Sequence, residues 1–346
     1  MSSANHDLSE PARPTLKSIA ALTGLSVATV GRALKDADDI GEDTKRRVRE
    51  VAERVGYRPN RAGVRLRTGK TNVIALVRST EEDVMNHTSQ MISAISTALR
   101  GTAYHMILMP YFPEEDVIAP VRYLVETGSA DGVIINQTTP DDPRVRYMHE
   151  RGFPFATHGR TAMGIDHPFF DFDNEAFARI MVREMVARGR RRLALLAPPL
   201  GQSYSLHMSK GFFEECARLG VQARLLDDMT SDTGAMRVEK VAKQIFGAAD
   251  WPDGVVIGSA TASMALVTGG ESHGLVLGRD FDVGTKDSVR FLRRFRSDML
   301  VVHEDVGHAG DFLARAVMAA IDRRGPQTAT QFLDVPAQIS GPVNLA

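Results

Sequence analysis

The sequence predicts an α/β protein in which three short helices precede two similarly built, doubly wound halves. From Val73 onward, short apolar runs alternate with helical stretches, which is the βαβα pattern of parallel sheets covered by helices on both faces. The strand entry Asp131-Gly-Val-Ile-Ile returns later as Asp253-Gly-Val-Val-Ile, so both halves use the same unit. A chain of 346 residues, 43% hydrophobic and 25% charged, has the length and composition of two or three globular domains.

Three helices fit into the first part of the chain. The first covers residues 15–22, and the second covers residues 26–35 with Ser26 placed as its N-cap. The third runs from about residue 42 to residue 55 and ends at Gly56. A short turn with a glycine separates the first two helices. This is the helix-turn-helix outline, whose second helix enters the major groove of DNA.

The second of these helices has an outward face that is small and apolar. At helical spacing, one side faces a core with Leu25, Val30, Ala33 and Leu34, and the other carries Val27, Ala28, Gly31 and Arg32. In a major groove, Val27 and Ala28 can contact thymine methyl groups, and Arg32 can donate to O6 and N7 of a guanine. The side chains suited to phosphate oxygens are Ser26, Thr29 and Lys35. The alternative is a plain three-helix cap on a larger protein.

The charge is unevenly distributed although the net charge is −1. Residues 1–70 carry 14 Lys and Arg against nine Asp and Glu, and the rest of the chain carries 28 against 34. Residues 54–80 contain seven basic residues and no acidic one. A basic segment ahead of an acidic body indicates a polyanion partner, and the alternative is a solvated linker.

The cysteine count and the chain's polarity indicate its compartment. One cysteine, Cys216, occurs in the chain, so a disulfide within it is impossible and a reducing compartment is expected. Residues 1–14 are polar and lack the apolar stretch of a secretory signal. No apolar run approaches the ~18 residues that a membrane span needs. We therefore expect a cytoplasmic protein without a membrane partner.

The strands of the core are predicted from apolar runs that divide near Asn174. They cover residues 73–77, 104–109, 131–136 and 153–157 in the first half, and 192–198, 223–226, 253–258, 281–285 and 299–303 in the second. Ligands of such folds bind beyond the carboxyl ends of the strands, here in the crevice between the halves.

The segment TLKSIAALTGLSVATVGRALK resembles the DNA-binding module of LacI/GalR-type transcriptional regulators. YRPNRAGVRLRTGKTNVIALV resembles the hinge of that family, and FDFDN, TKDSVRF and VVHEDVG match landmarks of its sugar-binding core in order. The resemblance implies a helix-turn-helix headpiece, a hinge helix and a core of the type I periplasmic-binding-protein kind. It also implies a homodimer or tetramer on a palindromic operator in double-stranded DNA, with Thr15 among the DNA contacts.

The corresponding domain boundaries are as follows. A disordered tail covers residues 1–14, the headpiece 15–57, the hinge 58–70 and the effector-binding core 71–346. Within the core, the first subdomain covers about 71–173 plus 304–328, and the second about 174–303 plus 329–346.

The hinge would make barely two helical turns, which is too short to be stable alone. Its arginines repel one another until phosphates neutralise them, so we expect folding on DNA. By resemblance, Leu66 is the wedge that enters the minor groove, and Asn60, Arg61 and Arg65 contact the DNA beside it. The alternative is a disordered linker with an incidental leucine. Gly63 and Gly31 depart from the family pattern, and each glycine costs a helix about 0.5–1 kcal/mol relative to alanine.

By resemblance, Asp287 aligns with the family's effector-binding aspartate after the strand FDVGT, and the alternative is a helix N-cap. The further effector candidates lie mainly near strand ends and are Asn86, His87, Gln137, His158, Arg160, Tyr204, His207 and Ser259. The family often shows Asp-Arg near His158, an arginine near Met208 and Asn-Asp at Ser259-Ala260, so Gly159, Met208 and Ser259-Ala260 are departures. The pocket is therefore expected to be family-like in position and different in chemistry.

The sequence offers little for catalysis or metal binding. His303 and His308 are five residues apart, which is not the spacing of a zinc helix, so neither a metal nor a cofactor is expected. The glycine-rich TGGESHG, residues 268–274, is interpreted as a turn, and Cys216 lies in a helical pattern. We therefore expect a regulator and not an enzyme.

The expected function is that of a repressor of sugar-utilisation genes, released by a small sugar-like inducer such as an α-glucoside or another saccharide. The alternatives are a regulator with a purine- or nucleoside-type corepressor, a sugar-binding receptor without a DNA role, and a sugar- or nucleotide-active enzyme with an appended domain.

Overall fold

The computed structural model describes residues 14–57, 69–80, 85–112, 114–288, 290, 292–322, 330–336 and 339. The chain forms two compact units, Met1–Thr71 and Asn72–Ala346. Each unit is described by itself below.

The N-terminal unit contains the three helices expected from the sequence: α1 (Leu16–Thr23), α2 (Val27–Ala33) and α3 (Glu42–Arg54). Thr15 begins α1 with a capping box, since its hydroxyl accepts from the Ser18 N–H and its own N–H donates to the Ser18 hydroxyl. Ser26 caps α2 by accepting the Thr29 N–H at 3.0 Å. Gly24 ends α1 at φ 68°, a left-handed conformation that favours glycine.

The three helices enclose one small apolar core. Its fully buried members are Ile19, Val30, Ala33 and Val48, and Leu25 and Leu34 pack against them. This core fixes which side of α2 points inward, and therefore which side points outward.

The second unit contains eleven strands among the described residues. They are β1 (Val73–Ser79), β2 (His105–Tyr111), β3 (Gly132–Ile135), β4 (Phe155–His158), β5 (Phe169–Phe172), β6 (Arg192–Leu196), β7 (Gln222–Leu225), β8 (Gly254–Ile257), β9 (Asp282–Asp287), β10 (Leu300–His303) and β11 (Gln331–Asp334). Six form one parallel sheet in the order β11-β5-β4-β3-β1-β2, and five form another in the order β10-β9-β8-β6-β7.

Helices follow most of the strands and cover the sheets. They are α4 (Met85–Ala98), α5 (Ala119–Glu126), α6 (Pro143–Glu150), α7 (Asn174–Ala187), α8 (Ser203–Leu219), α9 (Ala235–Gly247), α10 (Ala260–Glu271), α11 (Leu292–Phe295) and α12 (Val306–Asp322). Each sheet has apolar clusters of its own, which makes two lobes. The predicted fold class, a helical headpiece followed by two parallel α/β halves, is confirmed.

The repeated strand entry has the same physical role in both lobes. The Asp131 carboxylate accepts the backbone N–H of Asn72, just before β1. The Asp253 carboxylate accepts the backbone N–H groups of Arg191 and Arg192 at the start of β6. In both lobes, the aspartate therefore ties the beginning of its strand to the beginning of the neighbouring strand.

The end of the chain differs from the expected division. Residues 329–346 were assigned to the second half, but β11 pairs in parallel with β5 of the first sheet. The aromatic ring of Phe332 stacks on Phe170 with centroids 5.0 Å apart, which attaches β11 to the first lobe. Ile339 does pack against the core of the second lobe. The assignment is therefore corrected for β11.

No helix in the described parts of the chain combines the length and the apolar character needed to cross a membrane.

Candidate functional site

The outward side of α2 carries the side chains expected there. Val27 is 42% exposed, and Ala28, Arg32 and Lys35 are exposed as well. The Arg32 guanidinium pairs with the Asp39 carboxylate, and both side chains are about half exposed. An exposed apolar patch beside an arginine has the side chains that can contact base edges in a major groove.

The remaining headpiece candidates divide into two groups. Thr15 and Ser26 are the N-caps of α1 and α2, and Thr29 supplies the N–H that Ser26 accepts, with the Ser26 and Thr29 hydroxyls 2.8 Å apart. The hinge candidates lie outside the described residues; they are Asn60, Arg61, Arg65 and Leu66, and Gly63 is outside as well.

A cavity of about 410 Å³ lies between the two lobes of the second unit. Its walls come from residues at or just beyond the carboxyl ends of strands in both sheets, for example Asn136 after β3, Gly258 after β8 and Glu304 after β10. Five of the predicted effector residues line it: His87, Gln137, His158, Tyr204 and Ser259. The position predicted for the site agrees with these walls, as expected for doubly wound folds.

Three other candidates do not line the cavity, and the side chain of Asn86 lies outside the described set. Arg160 and His207 are both directed at Asp171, a cavity residue, with Arg160 Nε at 3.4 Å and His207 Nδ1 at 3.9 Å from Asp171 Oδ2. These two side chains therefore contact a cavity residue without lining the cavity themselves.

Asp287 is buried and turned away from the cavity. Its Oδ2 atom accepts the backbone N–H of Leu292 at 2.9 Å, at the start of α11. Successive residues of a strand point to opposite faces, so the neighbouring Lys286 faces the cavity instead. Asp287 therefore binds a backbone N–H at the start of α11 and does not line the cavity, whereas Lys286, which was not predicted, does line it.

Lys286 and Glu304 form a buried ion pair in the cavity wall, with Lys286 Nζ 2.9 Å from Glu304 Oε2. The ammonium also donates to Asn174 Oδ1 at 3.1 Å and lies 4.9 Å from the centre of the Phe172 ring. Burial alone would raise the pKa of Glu304, but Lys286 and the nearby His87 hold that pKa well below its usual range. The carboxylate is therefore ionised and neutralised by its partner.

Two further groups of the cavity are neutral or close to neutral at pH 7. Burial raises the pKa of Asp171 to about 7, against the opposing charges of Arg160 and Lys286. Burial and, to a smaller extent, the charge of His87 lower the pKa of His158 to about 3. His158 is therefore uncharged at pH 7, and Asp171 is protonated in part of the molecules.

Several buried polar atoms at this site have no hydrogen-bond partner among the described residues. They are Asn136 Oδ1, Gln137 Oε1, His158 Nε2 and Asp171 Oδ2, all on residues that line the cavity. Buried polar atoms are normally paired, so a concentration of unpaired ones around a cavity indicates hydrogen bonding to a bound molecule or water.

His87, His158 and Glu304 bring three potential ligand atoms within 4.8 Å of one another. His87 and His158 were predicted as effector residues, and their grouping with Glu304 was not predicted. The Lys286 ammonium lies at hydrogen-bond distance from Glu304, where it already supplies the positive charge that a metal ion would bring. We therefore describe the group as part of the polar wall.

Most of the cavity's charged, amide and small polar residues were not predicted from the sequence. They include Asn136, Thr138, Asp171, Asn174, Ser231, Asp232, Thr261, Lys286, Ser288 and Glu304. Four of them, Asn136, Asn174, Ser288 and Glu304, follow a strand end by one or two residues, so a consistent search of every strand end could have found them. Cys216 is buried in α8, where burial raises the pKa of its thiol to about 12 and keeps it unreactive.

The headpiece and the cavity together define a class of protein: a DNA-binding protein that carries a two-lobed unit for a small-molecule ligand. Residues 15–60 match "Bacterial regulatory proteins, lacI family", and residues 70–294 match "Periplasmic binding proteins and sugar binding domain of LacI family". The chain therefore belongs to the LacI family of transcriptional regulators.

Individual relatives agree with this assignment. The HTH-type transcriptional regulator RafR of Escherichia coli is 36% identical over 214 residues, covering 61% of this chain and 63% of RafR, so the match spans less than two thirds of that relative. AglR of Rhizobium meliloti (strain 1021) is 29% identical over 323 residues, covering 90% of this chain and 88% of AglR. The lac repressor dimer bound to operator and the anti-inducer ONPF has a TM-score of 0.83 at 18% identity, covering 96% of this chain and 100% of that one.

Proposed function

We propose that this regulator is a repressor of sugar-utilisation genes and that a neutral saccharide in the interlobe cavity releases it from DNA. The observation that carries the proposal is the cavity itself, whose volume of about 410 Å³ lies within the ~300–1,000 Å³ of small-molecule sites. The family's core is described as a sugar-binding domain, which supports a saccharide as the ligand.

The charges of the wall favour a neutral ligand with many hydroxyl groups. Lys286 and Glu304 neutralise each other, and His158 is uncharged. The unpaired amide, imidazole and carboxyl atoms offer the mixture of donors and acceptors that hydroxyl groups need, since each hydroxyl both donates and accepts. Phe172 and Tyr204 add apolar surface for the carbon skeleton.

On DNA, we propose that α2 lies in the major groove with Val27, Ala28 and Arg32 against base edges. Lys35 and the start of the helix would contact phosphates. A palindromic operator requires a second headpiece related by a two-fold axis, so the active form is a homodimer. Such a protein acts where the chromosome is, in the cytoplasm.

The two sites are linked through the lobes. A saccharide that prefers one arrangement of the lobes shifts the population toward it, and the affinity for DNA falls only as far as that preference extends. We propose that the ligand leaves the cavity chemically unchanged, so the protein is not an enzyme. Incubation with each saccharide followed by chromatography tests this directly.

A ligand screen with the full-length protein tests the proposal. The operator is first selected from random duplexes, and thermal-shift measurements then compare mono- and disaccharides with sugar alcohols and nucleosides. We expect a saccharide to raise the melting temperature and to weaken operator binding in fluorescence anisotropy. A nucleoside that tightens operator binding, with no saccharide active, would identify a corepressor and overturn the proposal.

A further inference from the structure

The turn Asn136–Thr138 lines the cavity and also contacts the buried Arg144 and the second lobe. It follows β3 and carries all three of its residues into the cavity wall. Gln137 has φ 51°, a left-handed conformation that few residues other than glycine adopt. Such a conformation persists where neighbouring groups stabilise it, and two sets of contacts do so here.

Beneath the turn lies Arg144, which is 1% exposed although it carries a full charge. Its Nη2 donates to the backbone carbonyls of Asn136 at 3.2 Å and Gln137 at 3.0 Å. The same guanidinium makes a two-pronged pair with the fully buried Asp142, Nε to Oδ1 at 3.0 Å and Nη2 to Oδ2 at 2.7 Å. Asp142 in turn caps α6 by accepting the Arg144 N–H, so the charged pair is fixed to a helix end.

Above the turn, Thr138 contacts the second lobe. Its carbonyl accepts the backbone N–H of Ser203 at 2.8 Å, and Ser203 is the first residue of α8. On its other side, a Cβ at Gly159 would lie 2.6 Å from the Thr138 hydroxyl, so the turn has little room to move in that direction. The backbone of one short turn is thus bonded to a buried arginine in one lobe and to a helix N-terminus in the other.

We propose that Arg144 is a positioning residue of the effector site: it holds the Asn136–Thr138 turn in the single conformation that presents Gln137 to the cavity and accepts the Ser203 N–H from the opposite lobe. Ligand contact and lobe arrangement are then set by one element. The part that concerns ligand rests on the proposed function, whereas the link from Arg144 through Thr138 to Ser203 does not.

The geometry requires an arginine in particular. A guanidinium is a planar fork that can bind a carboxylate with two donors and still direct one of them at neighbouring carbonyls. A lysine keeps the positive charge beside Asp142 but lacks the planar arrangement of donors that binds the carboxylate and the carbonyls together. Arg144→Lys therefore removes the geometry of the guanidinium and leaves the charge. Arg146 on the same helix is 53% exposed and pairs with Asp141 at the surface, which makes Arg146→Lys a matched control.

The first measurement needs no ligand. Hydrogen exchange of the Ser203 amide is followed in the full-length wild type and in both lysine variants. We expect Arg144→Lys to speed this exchange by about tenfold, the effect of weakening one hydrogen bond, while Arg146→Lys matches the wild type. A residue that only stabilises the fold would change the melting temperature and leave Ser203 exchange as it is. Unchanged exchange in Arg144→Lys overturns the proposal.

The second measurement uses maltose, cellobiose and raffinose as probes in titration calorimetry and in operator anisotropy. Arg144→Lys should weaken binding of the active saccharide by about tenfold and keep saccharide-free operator affinity within about twofold of wild type. Equal saccharide affinity in Arg144→Lys and wild type contradicts the positioning role. If no saccharide binds even the wild type, the proposed sugar function is wrong, and the exchange measurement still decides the role of Arg144.

A second pair of variants covers the case in which Arg144→Lys does not fold. Ser203→Pro removes the N–H that Thr138 accepts, and proline is tolerated at the first position of a helix. The preceding Gln202 is extended, at φ −79° and ψ 144°, as a residue before proline requires. We expect Ser203→Pro to reduce the saccharide-induced loss of operator affinity by about tenfold, and Ser203→Ala, which keeps the N–H, to respond like wild type. An unchanged response in Ser203→Pro overturns the proposed link between the lobes.

Discussion

The ammonium of Lys286 lies 2.9 Å from the carboxylate of Glu304, and the two side chains are only 10% and 9% exposed. Lys286 is the next-to-last residue of β9 and Glu304 directly follows β10, the neighbouring strand of the five-stranded sheet, so the pair closes the cavity from the second lobe. Removing one partner of a buried pair leaves the other charge without compensation, which costs far more than the pair contributes when intact.

Breaking this pair should therefore destabilise the second unit. We expect Lys286→Met to lower its free energy of unfolding by about 3–5 kcal/mol, and Lys286→Met with Glu304→Met to recover most of that loss. Urea unfolding followed by the fluorescence of Trp251 measures both. Lys243→Met, which breaks an exposed pair with Glu239, is the control and should cost about 1 kcal/mol or less. Equal losses in the single and the double variant would contradict the prediction.

The raised pKa of Asp171 predicts how stability depends on pH. The folded protein holds the Asp171 proton up to about pH 7, whereas the unfolded chain releases it near its ordinary value of 3.8. The stability due to this proton is complete below the lower value and is lost as the pH rises through about 7. Because Asp171→Asn cannot take up the proton, we expect its stability relative to wild type to fall by about 2 kcal/mol between pH 8 and pH 5.

Urea unfolding of wild type and Asp171→Asn at several pH values checks this. His158 contributes in the opposite direction, since its pKa of about 3 makes the folded state lose stability on acidification below its ordinary 6.5. The comparison is therefore made between variant and wild type, in which the His158 contribution is common. If the unfolding free energies of wild type and Asp171→Asn change in parallel between pH 8 and pH 5, Asp171 is ionised over that whole range and the prediction is wrong.

The exposed face of α2 predicts a specific loss for Arg32→Ala. A bidentate guanine contact contributes ~1–3 kcal/mol of discrimination, so operator affinity should fall by that amount per half-site while random DNA is bound almost as before. Arg46→Ala, which removes an exposed arginine of α3 paired with Asp43, is the control for charge. Fluorescence anisotropy with operator and random duplexes measures the DNA affinity of wild type, Arg32→Ala and Arg46→Ala. A loss of equal size on both DNAs would assign Arg32 to the phosphates.

The hinge prediction concerns residues outside those described. If Leu66 is an apolar wedge in the minor groove, Leu66→Ala should bind operator more weakly and bend it less, since the wedge supports the kink. The phosphate contacts remain, so binding should stay strongly salt-dependent. Gly63→Ala should tighten operator binding by up to about 1 kcal/mol per hinge if glycine only penalises the helix. Gel-bending assays decide the matter, and a Leu66→Ala complex bent like wild type would refute the wedge.

The sequence predicted those parts that depend on local periodicity. The cap at Ser26, the three headpiece helices and most strands follow from patterns of a few residues. The strands β5 and β11 were not predicted, and they pair with each other across a long sequence separation. Short strands of this kind are fixed by pairing partners that a local pattern does not contain.

The site was predictable in position and less so in identity. Gln137 and His158 could be found because they stand at strand ends. Asp287 was predicted by resemblance to the family's effector-binding aspartate, which a local sequence pattern does not test, and its side chain accepts the backbone N–H of Leu292. Arg144 has no sequence signal at all, since a charged residue early in a helix is usually at the surface and only the fold shows that it is buried.

Under the proposed function, the unpaired polar atoms of the cavity also determine which ligand analogues the cavity excludes. Gln137 Oε1 and His158 Nε2 are buried without a hydrogen-bond partner among the described residues. If a hydroxyl group of the proposed saccharide binds such an atom, a deoxy analogue fits the same space and leaves the atom unpaired. Sites built this way can reject such an analogue by about 10⁴–10⁵-fold, whereas apolar walls distinguish one methylene by only about 10–200-fold. Discrimination would thus come less from the shape of the cavity than from the penalty that each missing hydroxyl group incurs.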